Sequence, residues 1–505
     1  MHAAAAAASA PRARAPAFVH PPGYARHRPE TTLLYQLVEQ HYPPFRELRA
    51  EAGRPLPDYV EAEFDAYLKC GRFEEGFLRL RCEQCHAEKL VAFSCKKRGF
   101  CPSCGARRMA ETAALLADEI LPERPLRQWV LSLPMALRFL LATRPAVLSA
   151  VLGVVYRTIS GHLLGEARLT RRDGHTGAVT LIQRFGSALN LNVHLHMIFV
   201  DGAYRSDGSA PPVFHPVPPP DAAHLQAVVR RIAVRLGRML ERRGLIERDA
   251  ESAWLSGDTG EAGALDDLIG HSITYLIAVG PRAGQKVFTL QTVPAQPEGE
   301  GRHGAAEASG FSLHAGLDIR PGERAKLERL CRYVSRPPVA TERLALTPSG
   351  QVRYQLKTPY RDGTTHIVLE PLDLMARLCA LVPPPRVHLT RYHGVFAPHS
   401  KLRAAITPAG RGSGGKGAKQ GAEAPAVPKH VAMSWAQRLK RVFAIEIDTC
   451  ARCQGRLRVI ASLEEPEVIA RILAHRERES DAAEPELAPI AARAPPSPPR
   501  QVRLL

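Results

Sequence analysis

The chain has 505 residues, 45% of them hydrophobic, which is enough for more than one core and predicts about two to four domains. Its 68 basic residues exceed its 50 acidic ones, which gives a net charge of +18. This charge favours a protein that binds nucleic acid over one that is basic without such a partner. No run of eighteen apolar residues and no cationic signal-peptide start is present, so we expect a cytoplasmic protein without a membrane span.

The first half of the chain alternates predicted helices and strands after an Ala/Pro/Arg-rich tail (1–30) that we expect to be disordered. Helical spacing appears in "TTLLYQLVEQHYPPFRELRAE", in "LPDYVEAEFDAYLKC" and, after a cysteine-rich segment, in "RRMAETAALLADEILPERP". The strand "RQWVLSLP" and the apolar helix "RPAVLSAVLGVVYRTISGHLL" follow. Two further strands, "AVTLIQRFG" and "NLNVHLHMIFVDGAY", complete this part.

The second half is more interrupted. A loop at 205–221 precedes the arginine-rich helix "DAAHLQAVVRRIAVRLGRMLERRGLI", and a flexible insertion at 293–310 precedes a helix at 322–336. "QVRYQLKTPYRDGTTHIVLEPL" predicts a hairpin that turns at Asp362-Gly363. The predicted boundaries are a cysteine-bearing domain (31–120), a main domain (121–405), a flexible linker (406–428), a small C-terminal module (429–475) and a disordered tail (476–505).

Close cysteine pairs in the first domain predict a structural zinc site. The spacing is C-x-x-C, fifteen residues, C-x-x-C, which allows two pairs of thiolates to meet tetrahedrally at Cys82, Cys85, Cys101 and Cys104. Nearby Cys70, Cys95 and His86 are alternatives, since any of them could replace a pair member or form a second site. The second pair is bracketed by five cations, Lys96, Lys97, Arg98, Arg107 and Arg108. They predict a surface that contacts DNA phosphates; the alternative is a solvated charged face.

Near the C-terminus, "CARC" offers only half a site at Cys450 and Cys453. His430 or His475 could complete it, but two unpaired thiols are an equal alternative.

In "NLNVHLHMIF", His194 and His196 lie two residues apart on a predicted strand and therefore share one face. The opposite face, Val193 to Phe199 in alternation, is apolar and belongs in a core. Although a His-x-His is expected about once by chance in such a chain, two imidazoles at one end of one face predict a divalent metal site rather than two core histidines.

A third ligand must come from elsewhere in the chain. Gln183, on the neighbouring predicted strand, is the first candidate, with Asp201 and His175 behind it. Imidazoles and an amide suit Mg²⁺ or Mn²⁺ when phosphate oxygens and waters complete the shell, and such an ion acts as a Lewis acid on a phosphodiester.

A tyrosine among arginines is the candidate nucleophile. In "RPGERAKLERLCRYVSRPP", Tyr333 lies beside an apolar helix stripe, and Arg329, Arg332 and Arg336 surround it. These cations would hold a phosphate and favour the phenolate, although such a tyrosine is more often an ordinary surface residue.

Taken together, these motifs resemble the rolling-circle insertion-sequence transposases of the HUH superfamily, in the family of insertion sequence ninety-one. The resemblance covers roughly residues 35–475 in block order. It is carried by "FSCKKRGFCPSCGARRM", "RQWVLSLP", "NVHLHMIFVDG", "CRYVSRPPVA" and "TRYHGVFAPHSKLR", with "RVIA" near the C-terminus.

The resemblance implies an α+β fold in which the HUH strand pairs with "QWVLSLP" in an antiparallel sheet and the tyrosine helix packs over the metal. It also implies that Tyr333 cuts single-stranded DNA at element ends through a 5′-phosphotyrosine, and that the protein works in the bacterial cytoplasm at the nucleoid. Further DNA contacts are expected at Arg391, Lys401 and Arg403.

The family's founding members carry two tyrosines four residues apart, whereas the earlier position here is Arg329. Either Tyr333 serves successive cleavages, or another residue carries out the second cleavage. Tyr392 is the one candidate for a second nucleophile; its alternative is a structural or DNA-contacting role. The alternative functions are a replication-initiator relaxase and a non-catalytic zinc-dependent DNA-binding regulator.

Overall fold

A computed structural model describes residues 28–410 and 447–481, except 209, 249–252, 256–267, 269–273, 278–285, 289–304, 358 and 360–362. Most of the two predicted tails, most of the linker, residues 293–304 of the predicted insertion and Asp362 of the predicted turn lie outside the described residues.

The N-terminal elements follow the predicted order. The Thr32 side chain accepts a hydrogen bond from the backbone N–H of Tyr35 and caps the first helix. The elements are α1 (Leu33–Glu51), α2 (Asp58–Lys69), β1 (Phe77–Cys82), β2 (Glu88–Ala92) and α3 (Pro102–Leu115), which a π-helical turn extends over Leu116–Ile120.

The middle of the chain supplies the strands and helices that surround the histidine pair. They are β3 (Leu126–Ser132), α4 (Met135–Thr143), α5 (Pro145–Glu166), β4 (Gly174–His175), β5 (Gly177–Phe185), β6 (Leu191–Val200), β7 (Gly202–Arg205), β8 (Val213–Pro216) and α6 (Ala222–Glu241). The segment expected to be a loop at 205–221 therefore contains a strand, β8, which pairs with β7.

The remaining elements are β9 (Ile246–Arg248), β10 (Ala253–Leu255), β11 (Thr274–Ile277), β12 (Lys286–Phe288), β13 (Ala305–Ala308), β14 (Phe311–Ile319), α7 (Arg324–Val334), β15 (Leu344–Leu346), β16 (Val352–Gln355), β17 (His366–Leu369), α8 (Pro371–Leu381), β18 (Thr390–Gly394), α9 (Arg403–Ile406), β19 (Leu457–Leu463) and α10 (Pro466–Asp481). Short 3-10 turns cover Pro29–Thr31, Phe73–Glu75 and Thr341–Arg343. β13 lies inside the expected insertion, and β16 pairs with β17 as the predicted hairpin requires.

A six-stranded antiparallel sheet carries the histidines, in the order β13-β14-β3-β6-β5-β18. β6, the histidine strand, lies between β3 and β5 and pairs antiparallel with both, so the strand "RQWVLSLP" is its neighbour as expected. The combination of this sheet with flanking helices confirms the α+β fold class.

The two faces of this sheet bury different clusters. Val193, Leu195 and their alternating neighbours on β6 pack against α4, α5 and α6. On the opposite face, Ile198 and Val200 pack with Leu327 and Leu330 of α7. The alternation expected along β6 is therefore present, and the tyrosine helix covers the face that bears the histidines.

The other described strands form four sheets, of which β4-β7-β8 and β10-β9 are small. The order β12-β11-β17-β16-β15 forms a five-stranded sheet, and apolar residues of β15, β16 and β17 join a cluster with α1, α2 and α8. In the order β19-β1-β2, the C-terminal strand pairs antiparallel with β1, residue Leu457 opposite Cys82. The C-terminal module therefore docks on the N-terminal domain.

Helix α5 is the one described helix that is long and apolar enough to cross a membrane. Its residues Val151, Val155 and Ile159 are fully buried among the core residues of the central sheet. The helix thus has the burial of a core helix, and its apolar composition follows from its place under the sheet.

Candidate functional site

The structure gathers eight of the ten cysteines into two groups of four, which corrects the predicted single site. Cys82 and Cys85 do not meet Cys101 and Cys104. The first group, the local group, contains Cys70, Cys95, Cys101 and Cys104, and the second, the distant group, contains Cys82, Cys85, Cys450 and Cys453.

The local group lies where the end of α2, the segment after β2 and the start of α3 converge. The sulfur of Cys104 is 3.7 Å from that of Cys70 and 3.4 Å from that of Cys95, and the sulfur of Cys101 is 3.8 Å from that of Cys70. Three of these cysteines are buried in the cluster of α1 and α2. Cys70 and Cys95, which the sequence left as alternatives, therefore replace the predicted first pair.

The distant group forms because β1 has two edges. One edge pairs with β2, and the other pairs with β19, which brings "CARC" to the turn that follows β1. The sulfurs of Cys82 and Cys453 are 3.4 Å apart and those of Cys85 and Cys450 are 3.6 Å apart. Two thiol pairs complete this group, so neither His430, which lies outside the described residues, nor His475 is needed.

The sulfur geometry fits zinc in both groups. A Zn–S bond of about 2.3 Å in a tetrahedron places sulfurs about 3.8 Å apart, close to these separations and far from a disulfide bond of about 2 Å. Backbone N–H groups of Cys85 and Gln84 lower the pKa of Cys82, which favours its thiolate, whereas the neighbouring thiols raise the pKa of Cys85 in the absence of a metal charge. Each group is closed, because four protein ligands satisfy a structural zinc ion.

Three of the five cations predicted to touch DNA near the cysteines have partners inside the protein. Arg98 donates to the backbone carbonyls of Val387 and Pro384, and Arg107 pairs with Glu111 at 3.0 Å. Arg108 donates to the carbonyls of Lys96 and Lys97 at 3.0 and 3.1 Å. These arginines order the loop of the local group, whereas the exposed Lys96 side chain keeps its charge toward solvent.

The two histidines lie on the sheet face covered by α7, as the alternation predicted. Their ring centroids are 4.9 Å apart, and that of His196 is 6.2 Å from the ring of Tyr333 at an interplanar angle of 87°. Burial lowers the pKa of His194 to about 4 and that of His196 to about 3. Both imidazoles are therefore neutral at physiological pH, the form that binds a metal ion.

Hydrogen bonds orient both rings. Nδ1 of His194 lies 2.9 Å from the backbone oxygen of Asn192, and Nδ1 of His196 lies 2.8 Å from the side-chain amide nitrogen of Gln128. Nδ1 of each ring is thus engaged, and Nε2 is the remaining ring nitrogen. Gln128 was not predicted, although alternation along "RQWVLS" beside the histidine strand places it on the histidine face.

Gln183 lies directly opposite His194 across the β5–β6 pair. Its amide nitrogen donates to the carbonyl oxygen of Val334 at 3.0 Å, while its buried Oε1 has no hydrogen-bond partner. A buried oxygen without a partner is costly, and an ion beside the imidazoles would satisfy it. Gln183, His194 and His196 thus fit a divalent metal.

The two alternative third ligands are placed elsewhere. Asp201 forms a buried ion pair with Arg127, at 2.6 Å between the carboxylate and guanidinium. His175 lies on β4 opposite Tyr204, in a different sheet. Neither side chain is positioned with the histidine pair.

Tyr333 projects from the last turn of α7 with 41% of its surface exposed. Arg336 Cζ lies 4.5 Å and Lys357 Nζ lies 4.0 Å from its ring centroid. Burial raises the pKa of Tyr333, but the charges of Arg336 and Lys357 outweigh it, so the net pKa is lowered. This arrangement favours a phenolate beside the histidines.

Lys357 was not predicted from the sequence, because the only local signal is a lysine just after β16. By contrast, the predicted Arg332 is paired with Glu328 at 2.7 Å, and Arg329 is exposed one turn before Tyr333. The charge that faces the tyrosine ring comes from Arg336 and Lys357.

The predicted residues on "TRYHGVFAPHSKLR" lie at the edge strand β18 and after it. Tyr392 packs in the apolar cluster of α7, and burial raises its pKa. Arg391 donates to Ser149 at 3.4 Å, Arg403 donates to the carbonyl of Phe396, and Lys401 is exposed. The surroundings of Tyr392 disfavour the phenolate, which fits a packing role better than a nucleophile.

Two family models match the chain. Residues 37–133 match a transposase zinc-binding domain, and residues 177–403 match a putative transposase. The first match contains all four cysteines of the local group, whereas Cys450 and Cys453 lie beyond both matches. No curated protein and no solved structure matches.

Proposed function

Since the chain belongs to the transposase family of insertion sequence ninety-one and carries its N-terminal zinc-binding domain, we propose that it cuts and rejoins single-stranded DNA at element ends in rolling-circle transposition. A transposase acts on DNA, which explains the net charge of +18. The observation that carries the proposal is Tyr333, partly exposed and held by two cations over the face that bears His194 and His196.

In the proposed reaction, Tyr333 Oη attacks the scissile phosphorus. The P–O3′ bond breaks, the proton given up by the phenol to water is balanced by the one that the leaving 3′ oxygen takes up from water, and a 5′-phosphotyrosine remains on the protein. Arg336 and Lys357 stabilise the phenolate before attack and the phosphate oxygens during it. Joining is the reverse attack by a 3′-OH, and because the phosphotyrosine retains the bond energy, strand transfer needs no ATP.

When Mg²⁺ or Mn²⁺ is bound at the histidine face, it would supply Lewis-acid polarisation of the phosphate. We propose that His194 and His196 hold it through Nε2 and Gln183 through Oε1. For His196 this requires the Gln128 amide to present its oxygen to Nδ1–H, a half-turn of the amide group that leaves the Nε2 lone pair free. Two cysteine groups would hold the structural zinc ions.

One tyrosine would serve successive cleavages. Arg329 occupies the position of the family's earlier tyrosine, and the burial of Tyr392 raises its pKa. The place of action follows from the substrate: we propose the bacterial cytoplasm at the nucleoid.

The test incubates wild type, Tyr333→Phe and Tyr392→Phe with Mn²⁺ and labelled single-stranded oligonucleotides that cover both element ends. We expect covalent adducts with wild type and Tyr392→Phe and none with Tyr333→Phe, seen as labelled protein on denaturing gels. A covalent adduct with Tyr333→Phe would refute the assignment of Tyr333 as the nucleophile.

Two alternatives have distinct outcomes in the same assay. A non-catalytic DNA-binding regulator would bind the oligonucleotides without any adduct. A replication-initiator relaxase would form the adduct on a replication origin rather than on element ends, but no described residue favours that substrate.

A further inference from the structure

A cationic cavity lies on the side of the central sheet away from Tyr333. It has a volume of about 330 Å³ and opens between α5, α6 and the segment that follows α5. Its polar lining consists of Thr158, Thr170 and four arginines, Arg157, Arg171, Arg231 and Arg235. The proposed chemistry at Tyr333 uses none of these residues.

The four guanidinium groups line one cavity, and the carboxylate of Asp173 at its edge accepts hydrogen bonds from Thr170. Within the part of the chain that the structure describes, none of the four forms an ion pair with a carboxylate. The nearby Glu166 contacts His162 and His224 instead, at 3.9 and 3.7 Å. Arg231 and Arg235 are one helical turn apart, a spacing at which like charges destabilise a helix.

The cavity is also ordered before any ligand arrives. Arg235 donates to the hydroxyl of Thr158, a residue that is only 1% exposed, at 3.1 Å, and that hydroxyl donates to the carbonyl of Val154 at 2.8 Å. Burial lowers the pKa of Arg235, and the charges of Arg157, Arg171 and Arg231 lower it further. Positioned, mutually repelling guanidinium groups are complementary to phosphate, which accepts paired hydrogen bonds from them.

We propose that this cavity binds backbone phosphate of a DNA segment other than the one at Tyr333. The two positions are on opposite sides of the sheet, because α5 and α6 cover one face and α7 covers the other, so DNA that reaches both has to pass around the sheet. A sheet with a helix layer on each side separates the two positions by roughly 20 Å or more. The proposal rests on DNA as the partner of a transposase, not on the identity of the nucleophile.

The test compares Arg231→Ala/Arg235→Ala with Arg238→Ala/Arg242→Ala. The control removes the same charge at the same spacing from the same helix and its C-cap, outside the cavity. Fluorescence anisotropy with single- and double-stranded DNA over a salt series measures affinity. We expect the cavity variant to bind about five-fold more weakly, with little change in the control. Its salt slope should fall by about 0.7 to 0.9 for each phosphate that the variant no longer neutralises.

Three other results would overturn the proposal. If DNA affinity falls equally in both variants, DNA responds to the overall positive charge of the protein and not to the cavity. If the affinity of both variants is unchanged, the cavity does not contact DNA. If DNA binding is unchanged but inorganic phosphate raises the melting temperature of wild type and not of the cavity variant, the cavity takes a small anion. The cavity variant should melt no lower than wild type, because it is relieved of repulsion, and it should still form the tyrosine adduct on short oligonucleotides.

Discussion

The cysteine groups and the histidine face differ in how many ligands the protein supplies. Each cysteine group brings four sulfurs within 4.8 Å of one another and leaves no position for a substrate. The histidine face offers two imidazoles and one partnerless amide oxygen beside an exposed tyrosine. Closed sets of ligands stabilise folds and open ones do chemistry, so the protein separates its structural metals from its proposed reactive one.

The two cysteine groups also differ from each other. The local group draws its ligands from 35 consecutive residues, whereas Cys82 and Cys453 are 371 positions apart. Zinc in the local group organises one domain, while zinc in the distant group joins the C-terminal module to that domain alongside the β1–β19 pair.

The largest effect should follow from removing a ligand of the local group. Structural zinc contributes on the order of 10 kcal/mol to the apparent folding of small zinc domains, so Cys104→Ser should unfold the N-terminal domain. Cys453→Ser should instead release only the C-terminal module. Zinc content should fall from two ions to one in both variants, and limited proteolysis separates the two outcomes. Cys379→Ala, a buried thiol outside both groups, is the control; a single zinc ion in wild type would contradict the two-site arrangement.

His196→Ala should abolish Mn²⁺-dependent adduct formation and leave both zinc ions bound. The decrease should exceed about 100-fold, since the substitution removes a ligand rather than a residue that orients one. Adduct yield and zinc content measured on the same sample test this separation. Release of zinc from this variant would break the distinction between structural and reactive sites.

Gln128→Leu should have a smaller effect, because Gln128 touches only the far nitrogen of His196. Residues in that position typically change metal affinity or activity by about 10- to 100-fold. The Mn²⁺ concentration for half-maximal adduct should rise accordingly. Gln226→Leu, whose amide contacts Glu307 on another surface, should behave as wild type. If the two variants need the same Mn²⁺ concentration for half-maximal adduct, Gln128 has no role in orienting His196.

The smallest effect concerns pH. An unfolded histidine has a pKa near 6.5, and burial lowers those of His194 and His196 to about 4 and 3. Their neutral forms therefore add stability above pH 6.5 that is lost as pH falls from 6.5 to about 4 for His194 and to about 3 for His196. In urea unfolding of the zinc-loaded protein without added Mg²⁺ or Mn²⁺, wild type should lose up to about 1.4 kcal/mol per pH unit and per group more than His194→Asn/His196→Asn. Parallel curves would contradict the burial of these rings.

Some features were predictable because they depend on short-range geometry. Alternation along β6 placed His194 and His196 on one face, and helical spacing placed Leu327 and Val334 of α7 in a core, as the structure has them. Each of these patterns is set by the repeat of a single element. Gln183 was expected on the neighbouring strand, whereas its register directly opposite His194 is set by the β5–β6 pairing.

The sequence by itself therefore determined which residue types share a face and that cysteine pairs could bind metal. Only the tertiary structure decided which pairs meet, because a C-x-x-C motif supplies two ligands and carries no information about the other two. The pairing of β1 with β19 assigned Cys450 and Cys453 to Cys82 and Cys85. Likewise Lys357 reaches Tyr333 from a separate sheet, a contact that no local period encodes.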